Sequence, residues 1–241
     1  MEKLTARSFE VASCQATIFT PDGDLAVTKV MRDLYPSFAP RFDGEPTVLP
    51  PVPEGVPLEV PRIILESTSH EWRCEFSAGR VNVHWRRAKS SEASIGLGDF
   101  FGIAIEILSQ YAAQLNPRIA RLAALTTRFA LHEIPGLFLA RHFCQDRWDA
   151  APLNRPENFE LHGHKRFTFA KDFTVNSWAR SKSGKLTGSG ENKRIVFFEQ
   201  DLNTLAEDAP AANFGEEEIG KFFLAAAPEL DSVLMLYFPE S

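Results

Sequence analysis

From Ser8 to Phe19 the chain reads SFEVASCQATIF, with apolar and polar residues in near alternation, which predicts a strand. Thr20-Pro21-Asp22-Gly23-Asp24 ends it with turn chemistry. Leu25, Val27, Thr28, Met31, Leu34 and Tyr35 then recur at helical spacing and predict a short amphipathic helix before Pro36. Prolines crowd the span from Pro36 to Pro61. They forbid a central strand or a continuous helix over most of it, so a surface connector is expected, with a Pro-rich partner-docking loop as the alternative. Three alternating runs follow, RIILESTS, EWRCEFSA and GRVNVHWRR, and predict an antiparallel meander. Its alternation puts Ile63, Leu65, Trp72, Cys74, Phe76, Val81, Val83 and Trp85 on one face. Glu66, Arg73, Glu75, Arg80, Asn82, His84 and Arg86 fall on the other, which is wet or covers something polar. Leu97, Phe101, Ala104, Leu108, Tyr111 and Leu115 mark a helix over residues 97–115, widened by Phe100, Ile103 and Ile107.

The second half has the same order. Residues 118–133 read as a long strand, although their Ala and Leu content leaves a helical alternative, and Pro135 opens a short helix. Strand runs follow at NFELHGHKRFTFA, DFTVNSWARSK and KRIVFFEQDL. The last segment starts with Glu216, Glu217 and Glu218, suited to a helix N-terminus, and shows Ile219, Phe222, Phe223 and Ala226 on one face. Pro228 is expected to break or kink that helix, leaving Ser232 to Phe238 as further helix or as an edge strand.

Strand, helix, three-strand meander, helix, stated twice, predicts an α+β fold. The expectation is one domain over residues 1–241, built from halves 7–115 and 118–238 that join into a curved antiparallel sheet backed by helices. The order is analogous to that of TATA-binding-protein-like and helix-grip folds.

With 44% hydrophobic residues and 20 phenylalanines, the chain has the apolar material for a core of large rings. A formal net charge of −6 repels nucleic acid and anionic membranes, so either partner would need a local basic patch. The opening MEKLTARSFEV lacks a secretory pattern, and no stretch approaches the roughly 18 apolar residues of a membrane span. Cys14, Cys74 and Cys144 suggest neither a disulfide framework nor a zinc cluster. A cytoplasmic protein is expected.

The stretch PRIILESTSHEWRCEFSAGRVNVHWRR, with LYPSF upstream and DFFGIAIEILSQYAAQLN downstream, resembles a family of sporadically distributed, uncharacterised bacterial proteins of about this size. Their meander closes on an aromatic-tryptophan-arginine-basic run similar to Val83-His84-Trp85-Arg86-Arg87; His84 stands where that family more often has asparagine. The resemblance covers the first half well and the second by element order. It implies no activity and no catalytic residue. The family's sporadic distribution points to mobile accessory systems such as antiviral defence islands.

Two groups of cations are the candidate sites for a protein partner or an anion. In the first, Arg73, Arg80, Arg86 and Arg87 surround Trp85, a composition that can stack on bases and grip phosphates. Alternation sends Trp85 to the core side and Arg86 to the outer face with Arg80, which favours a buried ring beside a solvated or salt-bridged arginine row. The second group lies in residues 160–196, where eight basic against three acidic residues give a local +5 and leave −11 on the remainder. Arg180, Lys182, Lys185, Lys193 and Arg194 flank SKSGKLTGSGENKR, a Gly/Ser/Lys loop without Walker spacing, expected as a hairpin tip able to meet an acidic protein or a nucleic acid.

His162-Gly163-His164 puts two imidazoles on one side of a strand, with Glu160 near and His142 or Cys144 as further ligands if the fold brings them close; alone it is a weak metal signal. His132, Glu133 and Asp146 have no spacing that pairs them as acid and base. There is no GxSxG elbow and no CxxC pair, and Cys144, near Arg141 and His142, is the most accessible thiol. No catalytic residue, metal or cofactor is assigned.

The expectation is a non-enzymatic interaction or scaffold protein that holds a protein partner within a bacterial assembly. The alternative is a nucleic-acid or nucleotide sensor using the basic hairpin 180–194 and Trp178. A homodimer through the aromatic C-terminal segment around Tyr237 and Phe238 is a further expectation.

Overall fold

A computed structural model describes residues 3–50, 55–88, 94–144, 156–187 and 192–240. Nine antiparallel strands form one open, curved sheet in the order β2-β3-β4-β5-β1-β6-β9-β8-β7. The first half supplies β1 (Glu10–Phe19), β2 (Thr47–Val48), β3 (Pro61–Glu66), β4 (Trp72–Ser77) and β5 (Arg80–Arg86). The second supplies β6 (Arg121–Leu131), β7 (Glu160–Phe169), β8 (Phe173–Thr187) and β9 (Asn192–Thr204). Strands β1 and β6 pair at the seam, with Ala16 opposite Ala124 and Gln15 opposite Leu125. Outward from that seam each half adds its meander from last strand to first, so the sheet has two arms of like topology and unlike length.

Four helical elements lie on one face. They are α1, the run of Val27–Lys29, Val30–Leu34 and Tyr35–Phe38; α2 (Leu97–Leu115); α3 (Pro135–Cys144); and α4 (Glu216–Tyr237). Helix α2 ends on Asn116 in the left-handed conformation (φ 49°), which suits Asn and closes the last turn. Helix α4 begins with three glutamates, of which Glu218 accepts a hydrogen bond from the Gly215 N–H at 2.9 Å. Helices α2 and α4 pack together, and the Phe101 and Phe223 rings stack at 5.7 Å between them. Beneath them the inward residues Cys14, Ala16, Ile63, Leu65, Cys74, Phe76, Val81, Val83 and Trp85 form the main core, as alternation predicts. A second cluster under α3 and the end of α4 joins Phe9, Phe138, Leu139, Val196, Phe198, Leu234 and Phe238.

Two prolines lie within helices, the first against expectation and the second on one of the two expected courses. The first helix passes Pro36 and runs to Phe38, because Pro36 sits in the first turn of Tyr35–Phe38, just after a wider π-turn, where no amide donor is required. Helix α4 passes Pro228 and carries residues 232–237 as helix. Pro228 is exposed and so is Leu224 four residues before it, so the carbonyl that loses its donor lies on the solvent side. On the other side the sheet grips the helix. Gln200 Nε2 donates to the Leu230 carbonyl at 2.7 Å, and the buried Arg128 bonds that carbonyl (3.3 Å), Gln200 (3.0 Å) and Asp231 (2.5 Å).

The aromatic C-terminal segment is not an exposed surface. Phe238 is fully buried against Phe9 and Phe198, and Tyr237 packs on Phe198, while Met235 and Leu236 are turned outward at 47% and 80% exposure. Among the described residues no helix is long and apolar enough to cross a membrane.

Candidate functional site: the open face of the sheet

With the helices on one side, the other side of the sheet is uncovered among the described residues. Strand register sets a row of side chains straight across it. Glu66 is opposite Arg73, Arg73 opposite His84, and His84 opposite Gln15. Across the seam Gln15 faces Leu125, which faces Asp201, then Trp178, then His164. Eight strands contribute one residue each. Two cavities open along this row, one on each arm, and both reach Leu125, Thr126 and Thr127 at the centre.

The first-arm cavity, about 350 Å³, is lined by Arg73, Glu75, His84 and Arg86 together with Gln15 and Glu71. Its charges are tied to one another. Glu75 accepts hydrogen bonds from Arg73 (2.7 Å) and Asn82 (3.2 Å) and lies 3.6 Å from His84 Nε2. His84, ahead of Arg73 and Asn82, holds the Glu75 carboxyl down at about 2, against the opposing effect of its partial burial. Asn82 in turn accepts from Thr17 at 2.9 Å and Gln15 at 3.4 Å.

The second-arm cavity, about 490 Å³, is lined by Leu125, Thr127, His162, Trp178, Arg180, Glu199 and Asp201. Trp178 is 45% exposed and stacks on His164, with ring centres 4.0 Å apart and planes at 20°. His164 is itself held by Asn176 Oδ1 at 3.0 Å. Asp201 accepts a hydrogen bond from Asn203 at 2.8 Å, and burial raises its carboxyl above the ordinary range.

The candidate cations are not brought to one place. Arg73 and Arg86 line the first cavity, Arg80 stands at the far end of β5 opposite Phe19, and Arg87 pairs with Glu10 beyond the strand, over the Phe129 ring. Trp85 is buried, so ring and guanidinium lie on opposite sides of the sheet as alternation requires. The loop expected within 180–194 is mostly strand, since β8 runs to Thr187 and β9 starts at Asn192; residues 188–191 lie outside the described residues. This splits the basic group between faces. Arg180 and Lys182 lie on the open face and meet carboxylates, Arg180 with Glu160 (3.2 Å) and Glu199 (3.5 Å), Lys182 with Glu199 (2.7 Å). Lys193 is exposed opposite Leu186. Lys185 and Arg194 pair with each other by register and line a separate cavity beside the start of α3, where Arg194 donates to the Glu133 carbonyl at 3.2 Å.

His162 and His164 share the open face, but each has its own partner: Glu160 at 2.9 Å for His162, the Trp178 ring for His164. The glycine between them is there for the opposite face, because a Cβ on Gly163 would overlap the Tyr237 hydroxyl. His142 lies on that helix side, stacked on Phe138 and Phe238 and bonded to the Tyr237 carbonyl at 2.7 Å, so the sheet separates it from the histidine pair. No group of three metal-ligating side chains occurs among the described residues. His132 Nδ1 accepts from the Ile134 N–H at 3.1 Å, and Asp146 lies outside the described residues. Cys14 and Cys74 are buried thiols, Cys14 pushed up to about 12 by burial.

Sequence reasoning missed Asp201, Leu125 and Gln15. Alternation of Phe197, Glu199 and Asp201 along β9 marks Asp201 as outward-facing; its position beside Trp178 follows only from the β8–β9 register. No family model matches the chain, and no curated protein matches it.

Proposed function

We propose that this is a non-enzymatic binding protein that holds a protein partner on the open face of its sheet. One observation carries the reading: a side-chain row crosses eight strands on an uncovered surface, with a cavity on each arm meeting at Leu125. The face mixes acidic and basic groups, mostly compensated where they stand, and keeps apolar and aromatic contact at Leu125 and Trp178. Such a surface suits a polar protein interface, where aromatic anchors give affinity and charges give register. Nucleic acid asks for cations gathered along one surface, and the pairing of Arg180 and Lys182 with carboxylates works against that reading. The resemblance at the meander is what suggests an assembly of the defence or mobile-element kind.

The test is affinity capture from native bacterial lysate with the wild-type chain, Leu125→Arg at the centre of the open face, and Leu236→Arg on the helix side, each checked for folding by circular dichroism. A protein retained by the wild type and Leu236→Arg, and lost from Leu125→Arg, is the expected result. Capture indifferent to Leu125→Arg, or none at all, would overturn the reading, and so would oligonucleotide binding that weakens steeply with salt.

A further inference from the structure

Resting on that reading, we propose that the second-arm cavity receives an arginine side chain of the protein partner, with Asp201 as the carboxylate that pairs its guanidinium and Trp178 as the surface it stacks on. The geometry is directional. Trp178 turns one ring face to His164 on β7, and Asp201 stands on β9 at the opposite side, opposite Trp178 in register and next to Leu125. A flat cation entering the cavity therefore meets the other ring face on one side, an apolar side chain on another, and a carboxylate beneath.

The charges of this region leave that carboxylate as the group in need of a cation. Arg180 also lines the cavity but is divided between Glu160 and Glu199, and Lys182 takes Glu199. Arg121, which acts on Asp201 through space, directs its Nε to the Thr204 carbonyl at 3.3 Å and lies over the Phe19 ring at 4.8 Å. Asp201 accepts from Asn203 and has no ion pair among the described residues. Arg121 reaches it only through space and through Asn203, whose Oδ1 it bonds at 3.4 Å, so a partly buried carboxylate with no cation in contact gains from one that bonds it directly. Arginine fits better than lysine because its planar fork can stack on an indole and bond a carboxylate together, which an ammonium cannot do over the same footprint.

The chain is labelled with 5-fluorotryptophan, the Trp178 resonance is identified by its loss in Trp178→Phe, and N-acetyl-arginine amide is titrated in. Citrulline of the same blocked form supplies shape without charge, and adenosine monophosphate supplies a stacking base. The expected result is a saturable shift with arginine, weaker by about tenfold or more with citrulline and in Asp201→Asn, since a hydrogen bond to a charged group is at stake. Equal response to arginine and citrulline, no effect of Asp201→Asn, or tighter binding of the nucleotide would overturn the proposal. Lysate capture with Asp201→Asn separates it from the broader reading. A partner lost from Leu125→Arg yet retained in full by Asp201→Asn refutes the arginine receptor and leaves the open-face interface standing. A Trp178 resonance that responds as expected while no protein is captured refutes the protein partner, and with it the source of the arginine.

Discussion

Glu75 and Asp201 are carboxylates on the same uncovered face, one on each arm, and their surroundings push them in opposite directions. Glu75 is clasped by His84, Arg73 and Asn82, and its charge is part of what holds β4 to β5. Asp201 has one amide donor and partial burial, so its charge is tolerated by the fold without being used by it. The contrast extends to the arms. The first has short strands and a polar network centred on Glu75, and the second has strands up to 15 residues long and presents a half-exposed tryptophan. Two arms of like topology thus differ at their carboxylates, Glu75 being clasped by cations and an amide while Asp201 has no cation in contact beside an open ring face.

The largest effect is expected where the second arm meets its helix cover. Gly163→Val puts a branched side chain where the Tyr237 hydroxyl lies and should destabilise the protein by about 3 kcal/mol, read from urea unfolding followed by circular dichroism. Adding Tyr237→Phe should return part of the loss; a double variant no better than the single one would show that the clash is not the cause. Next comes Glu75→Gln, expected to cost about 2 kcal/mol at neutral pH because Arg73 and His84 lose their shared anion. The sign with pH follows from a folded-state pKa near 2 against the ordinary 4.5. Glu75 contributes stability above about 4.5 that is lost as pH falls toward 2, so wild type and variant should converge in that window. A constant gap between them from pH 7 to 2.5 would contradict the clasp.

Most of the scaffold was legible because period two and period 3.6 speak directly to burial. Inward Ile63, Cys74, Val83 and Trp85, and the helix over 97–115, follow from spacing alone. The helix end expected before Pro36 was misplaced because that proline falls in a first turn, while at Pro228 helix and edge strand both stood open and the chain continues as helix. Whether a lost donor matters depends on whether the freed carbonyl faces solvent or core, and Pro228 could be placed only once the sheet beneath it was known. The candidate site was less legible still. Composition grouped Arg180, Lys182, Lys185, Lys193 and Arg194 by nearness in sequence, whereas a strand's alternation separates neighbours onto opposite faces and register pairs them with glutamates such as Glu160 and Glu199. His162-Gly163-His164 looked like a ligand pair, and its glycine answers to a tyrosine 74 positions away on the other side of the sheet. Register, which joins Leu125, Asp201 and Trp178, is written in no local pattern.

Trp178→Ala sharpens the comparison at smaller amplitude. The ring is 45% exposed and stacks on His164, so its removal should cost about 1 kcal/mol or less in urea unfolding. A tryptophan that served mainly to hold the second arm together would cost about 3 kcal/mol or more. Capture of the partner should fail in this variant although the fold is kept.

The smallest effect carries the opposite sign. Burial raises the Asp201 carboxyl above its ordinary 3.8, so the folded chain holds that proton more tightly than the unfolded one. The group's favourable contribution is therefore present at pH below 3.8 and is lost as pH rises through the folded value; at neutral pH the ionised carboxylate works against folding. Asp201→Asn keeps an oxygen able to accept from Asn203 and removes the charge. It should raise stability at pH 7 by on the order of 0.5 kcal/mol and change little at pH 3, the reverse of Glu75→Gln. Thermal melts of the two variants at both pH values decide the matter. An Asp201→Asn chain less stable than wild type at pH 7 would mean that this carboxylate supports its own arm as Glu75 does, and the asymmetry between the arms would disappear.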